Sequence, residues 1–287
     1  MTISGFEVFS HNSNRSPLGK GDWAQTMIQM ILTDLDHTLL REDGSISDTT
    51  LDVLAACRKK GIKFAIATAR YWIGAERYIA LLKPDYEITT DGTLIHAADR
   101  RIYSREFSAD ETNRIIRSIL DLTPRAEITV AAGKTVYWNS HRISESEKLR
   151  KAVYNDYCAE LKVNANKIVA ELPDEAIAHE IADRTACKLQ CYRGERWYAF
   201  LPRESGKIAA IKALSKHSGI MLEDIVAFGD DSNDIDMLRM CGKGIAVSNA
   251  VPQVLSISDE VTISNDQDGV ATWLRGHCLQ QENSSMQ

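Results

Sequence analysis

No stretch of this sequence stays apolar long enough to span a bilayer. Nor is there a basic block: 34 lysines and arginines are spread among 40 aspartates and glutamates, giving a formal charge of −6. That balance argues against nucleic acid or an anionic membrane surface as a partner. Cysteine is scarce. The six residues (Cys57, Cys158, Cys187, Cys191, Cys241, Cys278) lack zinc-site spacing, and Cys187 and Cys191 have no second pair or histidine to complete a site. They read as reduced, mostly buried thiols of a cytoplasmic protein. Residues 1–29 have no apolar centre of the signal-peptide kind, and Glu7 and Asp22 are out of place in a transit peptide. The segment reads as a loosely ordered polar extension, with Met27 and Met30 as alternative starts. No internal repeat is evident. No histidine stands in a recognisable pairing with a serine or cysteine nucleophile, so acyl transfer is disfavoured.

What is present is the composition of a soluble globular enzyme, 44% apolar and 26% charged, in a chain of 287 residues that can hold one large domain or two ordinary ones. The organising stretch is Met30-Ile31-Leu32-Thr33-Asp34-Leu35-Asp36-His37-Thr38. Its apolar start reads as a strand buried on both faces. It ends in Asp34 and Asp36, two carboxylates that are costly at the mouth of a buried strand unless a cation holds them. Taken alone, the stretch is equally an acidic strand-to-loop exit, and later segments decide.

Downstream, a helix capped by Ser47 or Asp48 runs to about residue 60, a strand covers 63–67, a helix 73–82 and a strand 87–90. Strands alternating with helices of this length predict a parallel sheet. Between 108 and 200 the rhythm changes. Helices over 110–120, 144–158 and 174–185 alternate with strands over 126–130, 134–137, 167–172, 188–193 and 197–201, the last pair joined by a Gly194-Glu195 turn. Paired strands with short turns predict an α+β unit around an antiparallel sheet. The parallel pattern then returns, with a helix from Lys207, a strand over 224–228 and further elements to residue 274. The division expected is therefore an extension (1–29), a first core part (30–107), an inserted α+β unit (108–200) and a second core part (201–287).

Parallel strands bring their carboxyl ends to one edge of the sheet. Those ends are Asp34-Leu35-Asp36, Thr68-Ala69-Arg70 and Gly229-Asp230-Asp231-Ser232-Asn233-Asp234, and Lys207 at a helix start can reach the same edge. Carboxylates, a hydroxyl, turn amides and one ammonium suit phosphoryl transfer around a hard divalent cation.

These segments, taken in order, resemble the four motifs of the haloacid dehalogenase-type phosphohydrolases. More narrowly they resemble the Cof-type, sugar-phosphatase-like subgroup, with a type C2B cap inserted after the third strand. The resemblance covers about 30–274 and includes the tail from Ile263 through Gly269 to Ala271. It implies a Rossmann-like α/β core with an α+β cap, and magnesium as cofactor. It implies that Asp34 is nucleophile and metal ligand. Asp36 would be general acid and then base, with its backbone carbonyl on the metal. Asp230 would ligate the metal directly. Leu35, Thr68, Ala69, Lys207 and Asn233 would hold the phosphate, and Asp234 would support Lys207 or the metal's waters. The implied activity is a phosphatase acting on a small phosphorylated metabolite, a sugar phosphate or similar, through an aspartyl-phosphate. A phosphomutase is the alternative, and a non-catalytic phosphate sensor has little need of both Asp34 and Asp36. His37 stands where glycine is frequent, Ala69 where the subgroup usually has glycine, and Asp91-Gly92-Thr93 replaces the common Asn-Gly-Ala. His37 reads as a hydrogen-bonded loop residue and Asp231 as a solvated turn residue.

Overall fold

The computed structural model describes residues 27–142, 149, 151–192 and 196–279. Most of the extension therefore lies outside the described residues, as does the turn expected at Gly194-Glu195.

An eight-stranded sheet is built around β1 (Met30–Thr33), every residue of which is buried. On one side lie β2 (Lys63–Ala67) and β3 (Tyr86–Thr89). On the other lie β12 (Ile225–Gly229), β13 (Lys243–Val247) and β14 (Glu260–Thr262). These six strands are parallel, and β1 and β12 meet in register with Thr33 opposite Phe228. Strand order runs outward from β1 through β2 to β3, and from β12 through β14 the opposite way. The topological switch point, where α/β sheets bind ligands, therefore lies between β1 and β12. The helices α1 (Asp48–Lys59), α2 (Trp72–Leu82), α5 (Lys207–Ser218), α6 (Ile235–Met240), α7 (Pro252–Ile257) and α8 (Gly269–Cys278) complete this layer. The α1 cap is Ser47, whose hydroxyl accepts the Thr50 amide at 3.0 Å.

A hairpin absent from the sequence reading, β4 (Leu94–Ala97) and β5 (Arg100–Ser104), adds two antiparallel strands at the β3 edge. Its turn holds Ala98 at φ 50°, and its outer strand begins with Arg100 and Arg101. A charged edge strand of this kind carries little apolar periodicity.

Inserted between β5 and α5 is a six-stranded sheet ordered β10 (Lys188–Cys191), β11 (Trp197–Leu201), β9 (Lys167–Glu171), β6 (Ile128–Ala132), β7 (Thr135–Trp138) and β8 (Val153–Tyr154). It is antiparallel except at β7–β8. Two helices, α3 (Ala109–Leu122) and α4 (Glu175–Thr185), cover one face and bury Ile115, Ile119, Ala178 and Ile181 against Ile128, Val130, Ile168 and Phe200. The helix expected over 144–158 does not form across its described C-terminal part. There Val153–Tyr154 joins the sheet, and the Asn155 and Asp156 side chains accept the amides of Tyr157 and Cys158 at 2.8 and 3.0 Å. Such Asx turns satisfy amides that a helix would otherwise use. Residues 144–148 and 150 of that expected helix lie outside the described residues.

Candidate active site

Three strand ends and one helix start converge at the switch point. Asp34 leaves β1 with its amide bonded to the Phe228 carbonyl at 3.0 Å, which lays it beside the end of β12. The chain then turns tightly through Leu35–Leu39, with His37 in the left-handed region at φ 56°. That backbone accounts for glycine being the easier residue there. The His37 ring faces outward and pairs with Glu42 at 3.0 Å, and Glu42 raises its pKa.

Lys207 opens α5, and its ammonium is fixed between Asp34 (2.7 Å) and Asp234 (2.6 Å), with all three side chains buried. Burial pulls the lysine pKa down, but the two carboxylates outweigh it and the net shift is upward. Asp234 is fully engaged: its second oxygen accepts the amides of Asp230 and Asp231 at 3.1 and 3.3 Å. Gly229 makes this possible, since a Cβ there would sit 2.5 Å from that of Asp234. Asp231 is a half-exposed turn residue bonded to the Ser232 amide at 2.7 Å.

Oxygens of Asp34, Asp230 and Asp234 lie within 4.8 Å of one another. Burial raises the Asp34 carboxyl well above the usual carboxylate range; Lys207 opposes this, and Asp234 and Asp230 add to it. Burial likewise pushes Asp230 up to about 7, helped by the Asp234 charge. Asp230 accepts the Thr38 hydroxyl at 2.5 Å, and among the described residues no lysine or arginine pairs with it. One ammonium thus faces three buried carboxylates. A hard divalent cation taking oxygens of Asp34 and Asp230 fits that excess and that donor set. Asp234, its lone pairs already committed to Lys207 and two amides, is the weaker candidate ligand.

Asp36 stands apart from this triad. Its carboxylate is gripped bidentately by Arg70, at 2.5 and 2.7 Å, and opens on a cavity rather than on the cation site. Arg70, which the motif reading omitted, also donates to the Gly74 carbonyl at 3.1 Å. Its place two residues beyond Thr68 at the end of β2 was the available signal. Thr68 is buried, and its hydroxyl oxygen accepts the Arg70 amide at 3.1 Å. Leu35 is fully buried beneath the turn, and the Ala69 carbonyl accepts Lys167 at 3.1 Å. Asn233 is half-buried and shares with Lys207 and Asp91 the wall of a second cavity, of ≈ 270 Å³.

Sequence reading also missed the joint between the two sheets. Lys167 on β9 forms a buried ion pair with Asp91, which also accepts the Tyr192 hydroxyl at 2.8 Å. Gly92 lets the Asp91 loop lie on the α5 start; a Cβ on it would be 2.4 Å from the Gly206 carbonyl carbon.

A family model described as haloacid dehalogenase-like hydrolase matches residues 31–274, and the chain belongs to that family. It is an enzyme of the hydrolase class, and phosphatase is the activity in several relatives' names. It is 30% identical over 251 residues to the HMP-PP phosphatase of Cronobacter sakazakii, covering 78% of this chain and 85% of that one. Likewise, it is 24% identical over 265 residues to the 5-amino-6-(5-phospho-D-ribitylamino)uracil phosphatase YitU of Bacillus subtilis, covering 88% and 98%. Among solved structures, the subclass IIB sugar phosphatase BT4131 shares the fold at TM-score 0.73 and 21% identity, over 86% of this chain and 98% of that one.

Proposed function

We propose that the protein is a magnesium-dependent phosphatase of a small phosphorylated metabolite, acting in the cytoplasm through an aspartyl-phosphate. The observation that carries this is Lys207 clamped between Asp34 and Asp234, beside a buried Asp230 that no lysine or arginine among the described residues neutralises. Residues 30–107 and 201–287 form the catalytic core, and 108–200 form a cap over it. No helix among the described residues is long and apolar enough to cross a membrane.

An Asp34 carboxylate oxygen attacks phosphorus, and the bond from phosphorus to the ester oxygen breaks. Asp36 passes a proton to the departing alkoxide; its two-oxygen contact with Arg70 favours the ionised carboxylate and therefore has to open before Asp36 carries that proton. Water, deprotonated by Asp36, then attacks the acyl phosphate and regenerates Asp34. Thr68, Lys207, Asn233 and the amides of Leu35 and Ala69 hold the phosphoryl oxygens and offset their charge. Magnesium held by Asp34, Asp230 and the Asp36 carbonyl supplies charge neutralisation when bound, so that an anionic nucleophile can approach an anionic phosphate. Cap closure excludes water during transfer.

Purified protein with magnesium should release inorganic phosphate from a phosphomonoester, and Asp34→Asn or a chelator should abolish release. Phosphate retained wholly in organic esters would instead mark a mutase.

A further inference from the structure

A short loop between β13 and α7 lies against the nucleophile turn. Its exposed Asn249 side chain makes hydrogen bonds of opposite sense. The amide nitrogen donates to the His37 carbonyl at 2.8 Å, and the amide oxygen accepts the Asn265 backbone N–H at 3.0 Å. These partners fix which end of the amide points where, since a carbonyl takes only a donor and an N–H only an acceptor. Asn265, 3% exposed, donates in turn from its side chain to the Leu40 carbonyl at 2.9 Å. Two side-chain amides thus hold carbonyls on the outer half of the turn, which the Leu40 amide closes onto the Leu35 carbonyl at 2.8 Å.

The hold matters because of what stands on either side of the His37 carbonyl. Upstream, His37 has φ 56°, a conformation that a residue with a Cβ leaves unless contacts keep it there. Downstream, the same peptide plane leads into Thr38, whose hydroxyl donates to the Asp230 carboxylate. Just beyond Asn249, the Val251 amide donates to the Asp230 backbone carbonyl at 2.9 Å. Residues 249–251 therefore grip both the turn that carries Asp34 and Asp36 and the strand end that carries Asp230.

We propose that Asn249 is a positioning residue for the magnesium site: by holding the His37 carbonyl, it keeps the nucleophile turn at the separation from Asp230 that one ion can bridge. This rests on the magnesium-dependent function proposed above. Asn249 supplies no ligand and acts through the His37 backbone. Without its hydrogen bond the turn relaxes in the metal-free protein and has to be re-formed when the ion binds, so the loss falls on affinity for the ion.

The test is isothermal titration calorimetry of the full chain with magnesium, which needs no turnover. Asn249→Ala should raise the magnesium dissociation constant about five-fold, the contribution of one neutral hydrogen bond. Asp266→Ala removes a hydrogen bond further along the same segment, at the Glu42 amide, and should leave that constant within about two-fold of wild type. Incomplete folding lowers the stoichiometry rather than the dissociation constant, so it does not imitate this result. In turnover of acetyl phosphate, kcat of Asn249→Ala should recover at saturating magnesium, while the magnesium concentration giving half the maximal rate rises by the same factor. An unchanged dissociation constant in Asn249→Ala, or an equal rise in Asp266→Ala, would overturn the positioning role and leave the phosphatase function standing. A wild-type chain that binds no magnesium would overturn both.

Discussion

Replacing Asp230 by asparagine should stabilise the metal-free protein while abolishing its response to magnesium. Asp230 is 9% exposed, and among the described residues its one side-chain hydrogen bond is from Thr38 at 2.5 Å. Burial first, then the Asp234 charge, lift its carboxyl from 3.8 to about 7; Thr38, His37 and Lys207 only partly offset them. That difference corresponds to a penalty on the order of 4 kcal/mol for ionising the folded form. Relaxation and water entry lower it, so Asp230→Asn should recover about 1–3 kcal/mol above neutral pH. The sign follows from proton counts. Between the unfolded value and about 7 the folded chain holds the extra proton, so wild-type stability in EDTA falls as pH rises through that window and levels off above it. The variant should lack this slope. Urea denaturation in EDTA and in saturating magnesium, from about pH 5 to about pH 8, reads all of this. Magnesium should raise the wild-type midpoint more at the alkaline end, because proton and metal compete for the same oxygens, and should leave the variant unmoved. An Asp230→Asn protein less stable than wild type in EDTA at alkaline pH would refute the premise of an uncompensated buried charge.

Asp36→Asn should cost about 10²–10⁴ in kcat for an alkyl phosphate but far less for acetyl phosphate, whose leaving acetate needs no proton; equal losses on both would remove Asp36 from the acid role. Lys207→Met strands Asp34 and Asp234 as unpaired buried charges and should cost about 3–5 kcal/mol in urea denaturation in EDTA, with part regained in Lys207→Met/Asp234→Asn. A cost under about 1 kcal/mol would mean the cluster is as well hydrated as a surface pair. Gly92→Ala adds a Cβ 2.4 Å from the Gly206 carbonyl carbon at a residue with φ +78°, and should lower stability by more than about 1 kcal/mol; a melting temperature equal to wild type would show that the α5 start yields freely.

The parallel core was legible because its central strands, β1, β2 and β12, are short apolar runs closed by polar residues, and the chain rule for strand ends then gathers those residues on one edge. Asp34, Asp230, Asp234 and Lys207 were placed together by that logic; Lys207 bridges Asp34 and Asp234, and oxygens of the three carboxylates lie within 4.8 Å of one another. Less visible were features fixed by contacts distant in sequence. Arg70 reaches back 34 residues to Asp36, and Lys167 reaches 76 to Asp91, so no local pattern names the partner of either. The β4–β5 hairpin hid behind a charged edge strand, and Asn155 and Asp156 broke a helix that periodicity alone favoured. The inward face of the inserted sheet was hidden for another reason. Its strands are largely buried on both faces, so alternation in polarity could not say which residues face the cavity.

The structure resolves that parity. On β6, β9 and β11 the residues Thr129, Lys167, Val169 and Trp197 line the cavity, while Ile128, Val130, Ile168, Ala170, Tyr198 and Phe200 pack under α3 and α4. A slip of one residue in any of these strands would exchange the two sets, so the helices that fix the register also fix which residues face the cavity. The floor is assembled separately, from strand ends of the other sheet and the first residue of α5. The two halves meet at Thr90, Asp91 and Gly92, three consecutive residues with φ of 57°, 54° and 78°. A β-branched residue in the left-handed region is strained by about 1–3 kcal/mol, and this loop tolerates it because Gly92 packs against Gly206 and Lys207 while Asp91 binds Lys167 and Tyr192. Opening the inserted unit would have to separate Lys167 from Asp91 and expose both charges. The loop that anchors the inserted unit is thus the one braced against the helix start that aims Lys207 at Asp34, which ties the placement of that unit to the assembled floor.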